Sequence, residues 1–275
     1  MEYYKLLGLE KEPFSTSPDP SFFYDSYEHK ECLNRLEIAI RLRRGLSVVL
    51  GEVGTGKTTV SRMLIQRFAK EKTNFIVRII LDPTFKSEFE FMKNLCDSFG
   101  IETASRSSFE YKNDLENYLL QKGVKEKKVV VLIIDEGQKL TPTYIEVLRT
   151  LLNYETNEYK LLQLVIFAQH EFIHKMKRQP NFLDRISLGY TLNALNEEDT
   201  KGLIQYRLKH AGLKDGKVVF TDKAMRLVHI HTQGFPRRIA MFCHQTLISM
   251  IRQNKKVVDE KFVLDSIRQE VNWHA

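Results

Sequence analysis

The sequence has few cysteines, and they are widely spaced. Cys32, Cys96 and Cys243 are the three in the chain, and no two of them form a CxxC pair. Neither a disulfide framework nor a zinc site is therefore predicted. This cysteine content is typical of a reducing compartment, and we expect a cytoplasmic protein.

Membrane and export signals are also missing. No window approaches the roughly 18 uninterrupted apolar residues of a membrane span. The start of the chain, Met1-Glu-Tyr-Tyr-Lys5, lacks the basic residues and apolar run of a signal peptide. We therefore expect a chain without a direct membrane span. No repeat, low-complexity stretch or long Pro/Gly linker interrupts it.

What the sequence does contain is an ordinary globular composition with a basic excess. Of its 275 residues, 43% are hydrophobic and 28% are charged, which excludes disordered, collagen-like and coiled-coil chains. The length fits one large domain or two modest ones. The 42 Lys and Arg residues outnumber the 35 Asp and Glu residues, for a net charge of +7. This excess favours a polyanionic partner.

The two parts of the chain differ in their hydrophobic periodicity. Residues 1–195 alternate β-branched apolar runs with helical stretches, as parallel βαβ units do, whereas residues 196–275 have helical periodicity. We predict an α/β domain over 1–195, with an N-terminal segment over 1–28, and a small helical domain over 196–275. The second part has 14 Lys and Arg against 9 Asp and Glu, so most of the basic excess lies there.

Short apolar runs predict the strands of a parallel sheet. Four such runs are β-branched and continuous, as expected of strands that are covered on both faces. They lie at 46–50, 75–81, 129–134 and 161–167, with helices predicted at 29–44, 57–71, 87–99, 109–122 and 142–153. Because ligands bind at the carboxyl ends of parallel strands, the residues that follow each run are candidates for a site.

A complete phosphate-binding loop follows the first strand. Gly51-Glu-Val-Gly-Thr-Gly-Lys-Thr58 matches G-x-x-x-x-G-K-[ST] between a strand and a helix. Its backbone N–H groups and the helix N-terminus suit phosphate. We predict that Lys57 binds the β- and γ-phosphates of ATP and that the Thr58 hydroxyl ligates Mg²⁺. The predicted nucleotide-binding residues of this loop are Gly51, Glu52, Val53, Gly54, Thr55, Gly56, Lys57, Thr58 and Thr59.

Polar residues follow two further strands. Asp135 ends the third run and could hold Mg²⁺ through water, and Glu136 could polarise the attacking water as a general base. A solvated acidic turn at a strand end is the alternative. Gln169 follows the fourth run, where it could contact the γ-phosphate or the attacking water, or be an ordinary loop residue.

Taken together, these motifs resemble the AAA+ ATPases and, within them, the ExeA/GspA-like family. The resemblance covers nearly the whole chain, and all of its motifs except the phosphate-binding loop are weak alone. It rests on Tyr4-Lys-Leu-Leu-Gly-Leu, Glu12-Pro-Phe14, Ser17-Pro-Asp-Pro20, the loop at 51–59, Ile134-Asp-Glu136, Asn153-Tyr-Glu-Thr156, Leu161-Leu-Gln163, Ala168-Gln169, Asp184-Arg-Ile186 and Gly234-Phe-Pro-Arg237.

The resemblance implies an ATP hydrolase with a helical lid that works as a homo-oligomer. It implies that Gln169 is sensor 1, that Arg185 is an arginine finger for a neighbour's γ-phosphate, and that Arg237 is sensor 2. A guanidinium offers fixed charge and forked donors that suit phosphate at both arginine positions. An ordinary surface arginine at 185 and a role for Arg238 instead of Arg237 remain alternatives. The resemblance also implies that Pro13-Phe14 packs near the adenine, with a core phenylalanine as the alternative.

The partner is the least determined feature. Full-length secretion members of the family have a membrane anchor and a peptidoglycan-binding region after the ATPase domain. The sequence to Ala275 shows neither, so we expect similarity to the short TnsC/MuB-like transposition ATPases. That implies an ATP-dependent oligomer on double-stranded DNA that regulates transposition or target selection, with a transposase or another recruited protein as partner. The alternatives are a secretion assembly ATPase acting on a protein and a non-catalytic scaffold.

The resemblance to TnsC-like proteins also implies where DNA would be contacted. Two loops, one after the second strand and one before the following long helix, combine a cation with hydroxyl donors that suit phosphate. Solvated loops are the alternative. The implied DNA-binding residues are Lys86, Ser87, Arg106, Ser107 and Ser108.

Overall fold

The structure is a computed structural model that describes residues 3–16, 20–102 and 107–271. The chain divides into two compact units. The sheet unit consists of residues 31–53 and 60–192, and the helical unit of residues 1–30, 54–59 and 193–275. The sequence prediction instead grouped the N-terminal segment 1–28 and the loop residues 54–59 with the sheet. The division at residue 195 stays a prediction.

The sheet unit is built on five parallel strands in the order β2-β3-β4-β1-β5. All four neighbouring pairs are parallel, so the predicted α/β fold with a parallel sheet flanked by helices is confirmed. The strands are β1 (Leu46–Leu50), β2 (Phe75–Ile80), β3 (Val129–Ile134), β4 (Leu162–Ala168) and β5 (Ile186–Thr191).

Helices cover the sheet because its central strands are apolar on both faces. Every residue of β3 and β4 is buried, and such strands need a layer on each side. One face packs with Phe91, Leu115 and Leu148 in a single core cluster. The helices of the first part of the chain are α1 (Tyr27–Arg41), α2 (Lys57–Ala69), α3 (Glu88–Phe99), α4 (Ser108–Leu120), α5 (Pro142–Leu151), α6 (Phe172–Lys177) and α7 (Pro180–Leu183).

The sequence prediction missed the edge strand β5. Ile186–Thr191 alternates half-buried and exposed residues and pairs with β1. The continuous apolar runs used to find the other four strands are absent here. The alternation of Ile186, Leu188 and Tyr190 with Ser187, Gly189 and Thr191 was the available signal.

The helical unit has its own apolar core. Its helices are α8 (Glu197–His210), α9 (Asp222–Thr232), α10 (Pro236–Arg252) and α11 (Glu260–Val271). α8 begins at a side-chain cap, because the Asn196 side chain accepts a hydrogen bond from the Asp199 N–H at 2.7 Å. Phe14 is buried in this core, edge-on to the ring of Phe220. Phe14 is thus a core phenylalanine, and its distance from a bound adenine stays a prediction.

The helices also bear on membrane association. None of those in the described part of the chain has the length and apolar character of a membrane span.

Gly234 allows a close approach between two loops of the helical unit, which gives a test of the fold. Its φ is +72°, and a Cβ there would lie 2.0 Å from the Leu195 carbonyl oxygen. Gly216 also has a positive φ, +82°, but nothing lies within 4 Å of its Cβ position. Gly234→Ala should lower the free energy of unfolding by about 2–5 kcal/mol, from left-handed strain plus overpacking. Gly216→Ala should cost only about 1–2 kcal/mol.

Urea unfolding of both variants, followed by circular dichroism, measures this difference. The Gly234→Ala midpoint should fall well below that of Gly216→Ala with a similar slope. Equal midpoints would show that the loop approach at Leu195 is not constrained as described.

Candidate functional site

Two glycines shape the part of the phosphate-binding loop that lies in the helical unit. Gly54 and Gly56 have φ values of +89° and +100°, a backbone region that glycine adopts without steric cost. Lys57 is the first residue of α2 and is only 8% exposed, and Thr55 is buried. The loop therefore turns directly into a helix N-terminus, the arrangement that favours anions.

A buried histidine, which the sequence analysis missed, holds this loop. His29 is 5% exposed, and its Nε2 lies 2.9 Å from the Thr55 carbonyl oxygen. Because that oxygen can only accept, Nε2 carries the proton and Nδ1 accepts from the Ser26 hydroxyl at 2.6 Å. Burial lowers the pKa of His29, which keeps it neutral in this role. A Cβ at Gly56 would lie 2.5 Å from Nε2, so only glycine fits there. Nothing in the local sequence pattern marks His29.

An aromatic pocket in the helical unit lies beside Gly56 and Thr59. Its aromatic and apolar walls, next to a phosphate-binding loop, suit a flat heterocyclic base. The sequence analysis missed its residues, because they come from distant segments. The pocket is lined by Phe22, Phe23, Tyr24, Leu195, Leu203, Arg207 and Pro236, together with His29.

Arg207 gives this pocket one charged wall. Its Nη1 donates to the Ser15 carbonyl oxygen at 3.1 Å, whereas its buried Nε has no hydrogen-bond partner among the described residues. Burial lowers the pKa of this guanidinium. A buried unpaired N–H is costly, so a ligand acceptor in the pocket would satisfy it.

The structure distinguishes Arg237 from its neighbour Arg238. The Arg237 N–H donates to the Gly54 carbonyl oxygen at 3.3 Å, so the start of α10 touches the phosphate-binding loop. The Arg238 side chain instead donates to Gln233 and stacks over Phe235, 4.7 Å from the ring centre. Both side chains are exposed. Among the described residues, the Arg237 side chain makes no hydrogen bond or ring contact of the kind that Arg238 makes.

In the sheet unit, the predicted polar residues lie at the carboxyl ends of neighbouring strands. Asp135 and Gln169 follow β3 and β4, which are neighbours in the sheet. The loop after β1 starts at the same edge, because the Gly51 N–H donates to the Ala168 carbonyl oxygen at 3.1 Å. Asp135 is buried. The parallel order thus brings Gly51, Asp135, Glu136 and Gln169 to one edge.

Glu136 lies in a tight turn that presents its carboxylate. Its φ is +54°, and its N–H donates to Asp135 Oδ1 at 3.0 Å. The buried Gln138, which the sequence analysis did not single out, donates from Nε2 to Glu136 Oε2. Gly137 lets the turn lie against β4, because a Cβ there would be 2.3 Å from Ile166 Cγ2. This left-handed backbone in a non-glycine residue is typical of functional turns.

Arg185 lies at the opposite end of the strands, next to their amino ends. It directly precedes Ile186, which pairs with Leu46 at the amino end of β1. Five residues of β1 separate that end from Gly51, a distance of about 16 Å at 3.3 Å per residue. This is more than an arginine side chain spans.

A basic cleft surrounds Arg185. Arg149 pairs with Glu146 and Lys160 with Glu155. In the described part of the chain, the side chains of Arg44 and Arg185 make no hydrogen bond. Four cations and the carboxylate of Asp184 line the cleft, and two of the cations have carboxylate partners at Glu146 and Glu155. The lining residues are Arg44, Gly45, Leu46, Arg149, Leu152, Lys160, Asn181, Asp184 and Arg185.

The residues implied for DNA contact fall at two helix starts, except Arg106, which lies outside the described residues. Ser87 and Ser107 cap α3 and α4, with their hydroxyl oxygens accepting from the N–H groups of Glu90 and Glu110. Each hydroxyl proton is left to donate. Ser108 is the first residue of α4. Lys86 is exposed, but acidic residues occupy the first turns of both helices, at Glu88, Glu90 and Glu110.

The candidate Mg²⁺ ligands are hard oxygen donors. A buried carboxylate at Asp135 and a hydroxyl at Thr58 are the types that Mg²⁺ accepts when phosphates and waters supply the rest. Among the described residues, no cluster of three or more His, Cys, Asp or Glu could hold a metal by itself. Each of these donors, taken within its own unit, is therefore of a type that suits a metal arriving with a nucleotide.

Comparisons with known proteins agree with this geometry. The chain matches the family of AAA domains over residues 40–176. It is 35% identical over 283 aligned residues to General secretion pathway protein A of Aeromonas hydrophila, covering 99% of this chain and 50% of the relative. The chain thus spans about half the length of that curated relative.

Solved structures share the fold. The ORC1 protein of Aeropyrum pernix in complex with DNA has a TM-score of 0.66 at 16% identity, covering 95% of this chain and 69% of that one. Cdc6p from Pyrobaculum aerophilum has a TM-score of 0.66 at 19% identity, covering 91% and 71%. At these identities the likeness concerns the fold alone. From its fold, its loop at 51–59 and these matches, the chain belongs to the AAA+ ATPases and is similar to General secretion pathway protein A.

Proposed function

We propose that this ATP hydrolase binds Mg·ATP at the loop 51–59 and hydrolyses it only in an assembly of copies. The observation that carries the proposal is the location of Arg185. It lies at the amino end of the strands, whereas the phosphate-binding loop follows the carboxyl end of β1. An arginine so placed cannot reach the phosphates of its own subunit. As an arginine finger, it would act on the nucleotide of a neighbour.

Within one subunit, the chain's own residues bind and orient the substrate. Backbone N–H groups of the loop and the Lys57 ammonium hold the phosphates of ATP. The aromatic pocket beside Gly56 holds its adenine ring. Thr58 and Asp135 are the proposed Mg²⁺ ligands, and bound Mg²⁺ would neutralise charge on the β- and γ-phosphate oxygens. Glu136 accepts the proton of the attacking water.

Three further residues complete the proposed site. Arg185 stabilises the charge that develops on a neighbour's γ-phosphate, and the basic cleft around it supports an anionic ligand there. Gln169 is the proposed sensor at the end of β4. Arg237 is the proposed lid sensor, supported by the contact of its N–H with Gly54.

Duplex DNA is the proposed partner of the assembly, which would regulate transposition through a recruited transposase. The net charge of +7 and the exposed Lys86 beside two serine caps support it. One structure with the same fold is described as a complex with DNA. The 35% identity to General secretion pathway protein A favours a second candidate, a protein partner in a secretion assembly.

Replacing the proposed base tests the hydrolytic mechanism. Glu136→Gln should bind ATP as the wild type does but turn over about 10²–10⁴-fold more slowly, because the carboxylate that accepts the proton is lost. Steady-state phosphate release and fluorescent-ATP titration measure the two properties. Glu158→Gln, which alters an exposed carboxylate of the same unit, is the control and should behave as wild type. Turnover of Glu136→Gln close to wild type would place the base elsewhere.

Mixing two inactive variants tests action between subunits. Lys57→Ala should fail to bind ATP because it loses the lysine at the phosphates, and Arg185→Ala should bind ATP but hydrolyse it poorly. Mixed assemblies should regain turnover, because an intact Arg185 on a Lys57→Ala subunit can face ATP on an Arg185→Ala subunit. Arg178→Ala, an exposed arginine nearby, should keep full turnover alone. If the mixture shows no more activity than its components, Arg185 does not act on a neighbour.

Binding to a labelled duplex tests the partner. Fluorescence anisotropy should show much tighter binding with ATP than with ADP or no nucleotide, because an assembly adds contacts along one duplex. Lys86→Ala should weaken binding to all sequences alike and reduce the salt slope by about 1 per subunit contact. Lys93→Ala, one turn or more into α3, is the matched control. Binding that ignores nucleotide, or none at low salt with ATP, would favour the secretion-type protein partner.

A further inference from the structure

Gln138 joins two residues of the proposed site that belong to different strands. It is 7% exposed and lies two residues after Glu136. Its Nε2 donates to Glu136 Oε2, and its Oε1 accepts from the Gln169 N–H at 3.1 Å. One side-chain amide therefore spans from the end of β3 to the end of β4.

Hydrogen-bond chemistry fixes which way this amide points. The Gln169 N–H is a donor, so the carbonyl oxygen of the amide must face it. The NH₂ group is then left for Glu136, whose carboxylate only accepts. The amide therefore engages one carboxylate oxygen of Glu136, Oε2.

The backbone around Gln138 is fixed as well. The Lys175 ammonium donates to the carbonyl oxygens of Gln138 and Leu140, the second at 3.0 Å. Gly137 lies too close to Ile166 for any side chain. The turn is therefore held against β4 at Gly137 and against α6 through Lys175, which fixes the backbone that carries the amide.

We propose that Gln138 is the positioning residue for the general base. It holds the Glu136 carboxylate at the carboxyl edge of the sheet and ties it to the backbone of Gln169. This inference rests on the proposed role of Glu136. Because small displacements of a reacting group cost large factors in rate, loss of Gln138 should slow hydrolysis while ATP still binds.

Two substitutions separate the donor from the acceptor of the amide. Gln138→Met removes both hydrogen bonds and keeps the length of the side chain. Gln138→Glu keeps an acceptor for the Gln169 N–H but replaces the donor to Glu136 with a like charge. Each should lower kcat by about 10–100-fold and leave the dissociation constant for fluorescent ATP nearly unchanged. Gln179→Met, a glutamine that donates to Pro142 and is distant in sequence from Glu136, is the control and should retain wild-type kcat.

A double-mutant cycle distinguishes positioning from a general structural effect. With Glu136→Gln present there is no carboxylate to position, so adding Gln138→Met should lower the residual rate little further. The two substitutions should thus be strongly non-additive in kcat. A merely structural role would reduce the rate by the same factor in both backgrounds.

The outcomes separate this inference from the proposed function. Wild-type kcat in Gln138→Met or Gln138→Glu, with slow turnover in Glu136→Gln, would overturn the inference alone. Additive effects in the cycle, or a loss of ATP binding as large as the loss of kcat, would also overturn it. Near wild-type turnover in Glu136→Gln would overturn the proposed function and this inference with it.

Discussion

All five strands of the sheet run in the same direction, and this single constraint determines where the chemistry can lie. It brings the loop after β1, the Asp135–Glu136 turn after β3 and Gln169 after β4 to one edge. For the same reason Arg185, which precedes β5, lies at the amino end of the strands, beside the start of β1. The carboxyl ends of the strands in one chain therefore gather Gly51, Asp135, Glu136 and Gln169 but not this arginine. The register of β1 with β5 is the physical reason to expect that hydrolysis depends on assembly.

Residues that the helix and strand pattern does not mark keep the site in shape. His29 holds the carbonyl of Thr55, and Gln138 holds the carboxylate of Glu136. Both are buried, and both have partners at each end of a flat polar group. In a nearly dry environment such groups have to be paired, so they also restrict the conformations open to the loop and to the Glu136 carboxylate.

The sequence predicts the parts of the site that depend on local rules. The loop at 51–58 has fixed spacing, Asp135 ends a continuous apolar run, and Asn196 precedes an acidic first turn, so each is readable within a few residues. The misses are of two kinds. β5 is an edge strand with one half-buried face, and its alternation is weaker than a continuous run. His29, Gln138, Phe22 and Arg207 act through contacts between distant segments, which no local spacing encodes.

Hydrolysis is proposed to need Arg185 from a second copy of the chain. The unmodified protein tests this dependence on assembly. ATP turnover per subunit, measured over a wide range of protein concentration with the assembly state followed by light scattering, should be very low for dispersed chains. It should rise together with self-association and level off when assembly is complete. If turnover per subunit stays constant while the protein passes from dispersed to assembled, hydrolysis does not depend on assembly.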